Sequence, residues 1–179
     1  MIKRLKRKLI YGDAWMKLFA DEVEFPSGKK GTYASVERKN GAAVVVVNEK
    51  NEVLLAKVYR YPIDDYSWEI PGGGIDEGED EAASVIRELE EETGVKLGGV
   101  ELVGEWYLLN SMSTEKQTVF VARVKEFGEL KINDEDEGIT ELKAVAFEEA
   151  LAMIDRREIN DAMSANALQV VWRRLQRAG

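Results

Sequence analysis

Two hydrophobic periods divide the chain. Residues 41–48 (GAAVVVVN) form a β-branched run of the kind that fills a strand buried on both faces. Residues 49–51 read as a turn, and residues 52–59 supply a second strand. Upstream, residues 15–38 read as short strands around a Pro- and Gly-containing turn at 26–31. Residues 68–70 are short and extended, and Pro71 with Gly72, Gly73 and Gly74 is expected to break regular structure. Over 80–93 the period changes to that of a helix, with Ala82, Ile86, Leu89 and Thr93 as its apolar stripe and Gly94 placed to end it. Strands follow near 99–107, 117–125 and 141–147, with helices over 147–156 and 162–177. The alternation is mixed α/β, with no internal repeat and no low-complexity linker.

Composition narrows the chemistry. A length of 179 residues suits one catalytic domain with room for a small appendage. There is no cysteine, which excludes disulfides, zinc–thiolate sites and cysteine nucleophiles. There is no histidine either, so acid–base and metal chemistry falls to Asp and Glu, whose oxygens favour hard cations such as Mg²⁺ or Mn²⁺. The formal net charge of −9 argues against nucleic acid as a partner. The longest apolar run, residues 42–47, is far too short to span a membrane. The first ten residues carry five basic side chains and no signal-peptide pattern, and they read as a solvated surface segment. The cytoplasm is the default compartment.

The informative stretch is 73–95, GGIDEGEDEAASVIRELEEETGV. Glu88, Glu91 and Glu92 stand at i, i+3 and i+4, which places three carboxylates close together on one helix. On a solvated helix they repel one another, whereas a divalent cation converts the repulsion into ligation. Arg87, four residues before Glu91, is placed to hold that carboxylate from outside the metal shell. A bare E-x-x-E-E cluster is most often a charged surface helix. Here, however, Gly73, Glu79, Arg87, Glu88, Leu89, Glu91, Glu92, Gly94 and Val95 all fit G-x5-E-x7-R-E-U-x-E-E-x-G-U, where U is aliphatic. At average residue usage the chance of that is below about 10⁻⁹ per starting position. The glycines of residues 72–74 do not form G-x-G-x-x-G, so they are no dinucleotide fingerprint.

This pattern is the Nudix box, and the sequence resembles the Nudix hydrolases. Around the box, Val58-Tyr59-Arg60, Trp68 to Gly73, Asp134 to Glu137, Phe147 to Ala150 and Ile159 to Ala162 resemble the ADP-ribose pyrophosphatase and nucleoside diphosphate sugar hydrolase branch. The resemblance implies an α/β/α sandwich, a mixed sheet between helices over residues 39–179. It also implies a small N-terminal β-domain over residues 1–38, exchanged or packed across a homodimer. Two or three Mg²⁺ would be held by Glu88 and Glu92, by Glu91 and by the Gly72 carbonyl, with Mn²⁺ as the alternative ion. Glu69 would lie near them. A loop carboxylate would take a proton from the attacking water, with Glu135 favoured as base and Glu137 as its neighbour. Gly74 joins the substrate side, and Glu115 matches a position that contacts substrate from the sister subunit. Arg60 is a candidate for the diphosphate or terminal ribose, or else a surface ion pair. Trp15, Phe19 and Trp106 are candidates to stack on a base, or else core and interface packing.

The implied reaction cleaves ADP-ribose to AMP and ribose 5-phosphate. The branch usually carries a Pro- and Gly-containing loop where this chain has Leu108-Leu109-Asn110-Ser111-Met112-Ser113, so a GDP-linked hexose is the alternative substrate. A non-catalytic ligand sensor is the remaining reading. Such sensors tend to lose box glutamates, which this chain retains.

Overall fold

A computed structural model of the protein describes residues 1–133 and 137–178. They divide into two compact units, Met1–Asn40 with Trp106–Lys116, and Gly41–Glu105 with the residues from Gln117 onward.

The first unit is built on a long central strand. β1 (Lys3–Lys6), β2 (Leu9–Gly12), β3 (Met16–Glu24) and β4 (Lys30–Arg38) form an antiparallel sheet in which β1, β2 and β4 all pair with β3. The basic N-terminus, expected as a solvated segment, is exposed but forms two strands. For β1 the register explains why: Lys3 lies opposite Glu24 and Lys6 opposite Glu22, so cross-strand charge pairs reward the pairing. Arg7 adds a 2.6 Å ion pair to Glu37.

The second unit holds a seven-stranded mixed sheet in the order β11-β6-β5-β10-β9, with β7 on β6 and β8 on β5. Its strands are β5 (Gly41–Asn48), β6 (Glu52–Arg60), β7 (Asp65–Glu69), β8 (Gly72–Gly74), β9 (Glu101–Tyr107), β10 (Lys116–Val124) and β11 (Ile139–Ala146). Its helices are α1 (Glu81–Thr93), α2 (Phe147–Asp155) and α3 (Ala162–Ala178). β10 runs parallel to β5, and β6 and β8 run antiparallel to it. Every residue of β5 is buried, as the β-branched run predicts. Ala42, Val44 and Val46 pack with Val85 and Leu89 of α1, and with Leu54, Phe120 and Ala122. The alternate side chains, including Val45 and Val47, point to the other face. There α3 packs on β5 and α2 on β6 and β11, so helices cover both sides of the sheet. Each such Val or Leu contributes about 1.5–3 kcal/mol by leaving water. The expected α/β/α sandwich is therefore what the chain forms. Among the described residues no helix is long and apolar enough to cross a membrane.

Two local features differ from expectation, and both shape the site. Gly72–Gly74 is a strand, β8, paired with β5 through Ala43↔Gly72, Ala42↔Gly73 and Gly41↔Gly74. Glycine is required there by crowding: a Cβ on Gly72 would lie 2.4 Å from the Ala42 carbonyl oxygen. Helix α1 also buries a different stripe. Val85, Leu89, Glu92 and Thr93 are buried, while Ala82 and Ile86 pack on the core from its margin. Asp80 caps the helix by accepting the N–H groups of Ala82 and Ala83 at 3.1 and 3.0 Å, and Gly94 ends it at φ 74°.

Candidate active site

Helix α1 and the glycine strand hold two of the box carboxylates, Glu88 and Glu92, against the glycine backbone. Glu88 rests on the backbone of Gly73, where a Cβ would come within 2.5 Å of the Glu88 carboxyl carbon. Glu92 is buried, and the Gly72 N–H donates to its Oε2 at 3.3 Å. Glu137, just before β11, is hydrogen-bonded to Glu92 and acts electrostatically on Glu88. Two carboxyl groups hydrogen-bond only if one carries a proton. Burial pushes the Glu92 pKa up to about 9, with the charges of Glu137 and Glu88 adding to it and the Gly72 N–H opposing it. Burial likewise raises Glu88, against the pull of Arg87.

The i, i+3, i+4 spacing does not put all three box glutamates in one place. With about 100° per residue, Glu91 and Glu92 fall on opposite sides of Glu88. Glu92 turns toward the core, whereas Glu91 is exposed and pairs with Arg87 at 2.9 Å. Glu91 borders a hollow of about 910 Å³ lined by Ala83, Ile86, Arg87, Glu90 and Asn133.

Arg87 organises the outer side. Its Nε and Nη2 donate to the two Glu79 oxygens at 3.0 and 3.1 Å, and its Nη1 reaches Glu88 and Glu91, each at 2.9 Å. The guanidinium holds the Glu79 carboxyl down at about 2, assisted by the Asp76 N–H and the Ser84 hydroxyl. Ser84, which the sequence pattern did not single out, is fully buried, and its Oγ also donates to the Gly74 carbonyl at 3.4 Å. Its only signal was a hydroxyl in an otherwise apolar helix position.

Arg60, at the end of β6, forms a two-pronged pair with the buried Glu69 of β7, Nε to Oε1 at 3.0 Å and Nη2 to Oε2 at 2.6 Å. Glu69, then Asp161 and Glu137, raise the Arg60 pKa, against the effect of burial. Arg60 thus lies within the electrostatic reach of the same Glu137 that raises Glu92. Gly74 is exposed at the end of β8. Glu135 lies outside the described residues. Glu115 belongs to the first unit, where it is buried and pairs with Arg38 at 3.2 Å. Phe19 is buried beneath the Arg7 guanidinium, 3.6 Å from its ring centroid, which is packing. Trp15 is 74% exposed with Lys39 5.9 Å from its ring centroid, and Trp106 is half-buried.

The donor set fits a hard divalent cation. Glu88, Glu92 and Glu137 offer only oxygens, and burial, with the charges of Glu137 and Glu88 adding to it, favours on Glu92 a proton that a cation would displace. Among the described residues no three acidic side chains already converge as a metal cage. Glu88 and Glu91 are turned to Arg87, and Glu92 is hydrogen-bonded to Glu137.

Residues 37–166 match the NUDIX domain. The chain is 29% identical over 167 residues to the ADP-ribose pyrophosphatase of Bacillus subtilis (strain 168), covering 93% of this chain and 90% of that protein. It is 28% identical over 167 residues to the methanol dehydrogenase activator of Bacillus methanolicus, with the same shares covered. Its fold is similar to that in a crystal structure of an ADP compounds hydrolase, with a TM-score of 0.82, 21% identity, and 99% and 96% of the two chains covered. The chain belongs to the Nudix family. It is a Nudix hydrolase related to ADP-ribose pyrophosphatase, and enzymes of this family use divalent metal ions.

Proposed function

We propose that the protein hydrolyses the diphosphate linkage of a nucleoside diphosphate sugar, with ADP-ribose as the leading substrate and AMP and ribose 5-phosphate as products. One observation carries this reading: the buried Glu92 lies against the Gly72 N–H, and the charge of Glu137 acts on Glu92, on Glu88 and on Arg60 alike. Mg²⁺ is the cation of choice for an oxygen-only donor set, with Mn²⁺ as its substitute. When bound, the metal would neutralise the diphosphate oxygens and make an attacking water more acidic.

The chain's own groups do the rest. Glu88 and Glu92 would hold the metal, with Glu91 and the Gly72 carbonyl as further oxygen ligands. Glu135 or Glu137 accepts the proton of the attacking water, a role that falls to a carboxylate in a chain without histidine. Arg60 grips the diphosphate or terminal ribose with the fork it presents to Glu69, and Gly74, with Glu115 of the sister subunit, completes the substrate contacts. In this reading the enzyme acts as a homodimer.

A GDP-linked hexose is the second reading, favoured by residues 108–113. That segment carries neither Pro nor Gly, and it folds into a turn held by the Met112 and Ser113 N–H groups donating to the Leu109 carbonyl at 2.9 and 2.7 Å. Leu108, Leu109 and Met112 are left exposed. A panel of nucleotide sugars with Mg²⁺, scored for release of AMP, GMP or UMP, separates the two. Fastest release of AMP from ADP-ribose supports the first reading, and fastest release of GMP replaces it with the second.

A further inference from the structure

Strand β7 carries Glu69 at its end and pairs with β6 along one edge. The other edge is covered by the segment leading into α3. The Trp68 N–H donates to the Glu158 carbonyl at 2.9 Å, the Asn160 N–H to Ser67 Oγ at 3.3 Å, and the Ile70 N–H to Ser164 Oγ at 3.1 Å. Ile70 is buried and lies beyond the β6–β7 ladder, which ends at the Ala56↔Glu69 pair. Its N–H therefore depends on Ser164, and a buried donor without an acceptor is costly.

Ser164 is not needed for its own helix. The Asp161 carboxylate already accepts the Ser164 N–H at 2.7 Å and caps α3. Alanine would serve an ordinary first-turn position at least as well. The Ser164 hydroxyl is instead aimed across at the strand, and the residue is only 1% exposed. The contacts form a chain: Asp161 holds the Ser164 N–H, the Ser164 Oγ holds the Ile70 N–H, and Glu69, next to Ile70, holds Arg60, on which Asp161 acts only through its charge.

We infer that Ser164 is a positioning residue: through the Ile70 N–H it fixes Glu69, and with it Arg60, beside the glycine strand. The inference rests on the proposed function, which places Arg60 and Glu69 at the substrate. Ser164 touches backbone and acts only through those two side chains.

The test is a double-mutant cycle on the full chain, with ADP-ribose and Mg²⁺ as the probe or whichever nucleotide sugar the panel shows to be turned over fastest. S164A is expected to lower kcat/KM about tenfold, the effect of one lost buried hydrogen bond at a site. In an E69Q background S164A should lower it no further, because the side chain it positions has already lost its function. Melting temperature should fall by the same amount in both backgrounds. S164T, which keeps the Oγ, should restore most of the activity. Where S164A does not fold, S164C keeps the volume with a weaker acceptor and enters the same cycle. Losses that multiply in the double mutant would reduce Ser164 to a structural residue and overturn the inference, as would full activity in S164A. Full kcat/KM in E69Q alone would overturn the reading of the site itself, and the inference with it.

Discussion

Gly73 and Glu88 are in such close contact that a single methyl group on Gly73 would overlap the Glu88 carboxyl, at 2.5 Å. The Nudix glycine is thus a seat for the first box carboxylate. Crowding at Gly72 and Gly73 explains why this strand carries glycine even though glycine is a poor strand former.

Gly73→Ala should push Glu88 aside. A displacement of about 1 Å at a catalytic group lowers turnover on the order of 100-fold. Gly98→Ala is the control, since no atom lies within 4 Å of its added methyl. Steady-state kinetics and thermal melts of both variants check this. G73A should lose activity while retaining its fold, and G98A should match the parent in both.

Arg87→Lys should lower kcat by about 10- to 100-fold, as loss of a group that orients metal ligands typically does. Arg87 reaches Glu79, Glu88 and Glu91 at once, and a lysine ammonium cannot reproduce that planar fork. Raising the Mg²⁺ concentration should recover part of the loss, which an Mg²⁺ titration of the initial rate would read.

The metal-free protein should become less stable as pH rises. Glu92 binds its proton in the folded state up to a pKa of about 9, against an ordinary value of 4.5. Between those values the folded chain binds more protons than the unfolded one, so unfolding free energy falls with pH across that window. Thermal melts in EDTA should show a lower Tm at about pH 8 than at about pH 5. E92Q should flatten that slope, and Mg²⁺ should restore stability at the higher pH.

Glu137→Gln should reduce kcat by orders of magnitude and bring the Glu92 pKa down, because the charge of Glu137 is the largest influence on it after burial. NMR titration of the Glu92 side-chain carboxyl in the variant measures the shift.

Much of this site was legible in the sequence, because box spacing and helical geometry are local. The expected helix over 80–93 is α1, Glu81–Thr93, and the Gly94 stop sits where the sequence places it, while the Asp80 cap emerged only in the structure. The buried run 41–48 is β5 residue for residue. What failed depended on tertiary context. The stripe drawn through Ala82, Ile86, Leu89 and Thr93 omitted Val85 and left out Glu92, because a buried carboxylate does not read as a core residue until its partners are known. The strands β1 and β2 are exposed at every position, so they carry no alternation; charge pairs with β3 support β1, and β2 lies against β3 through Leu9↔Phe19 and Tyr11↔Leu18. Arg60 and Glu69, nine residues apart, meet only because β6 and β7 pair.

The central claim is that Glu88, Glu92 and Glu137 form a cation site kept partly protonated until metal arrives. Calorimetric titration of Mg²⁺ into metal-free protein at about pH 8, in buffers of differing ionisation enthalpy, tests it directly. The account predicts binding with proton release, and loss of that release in E92Q. Binding without proton release, or an unchanged titration in E92Q, would contradict it.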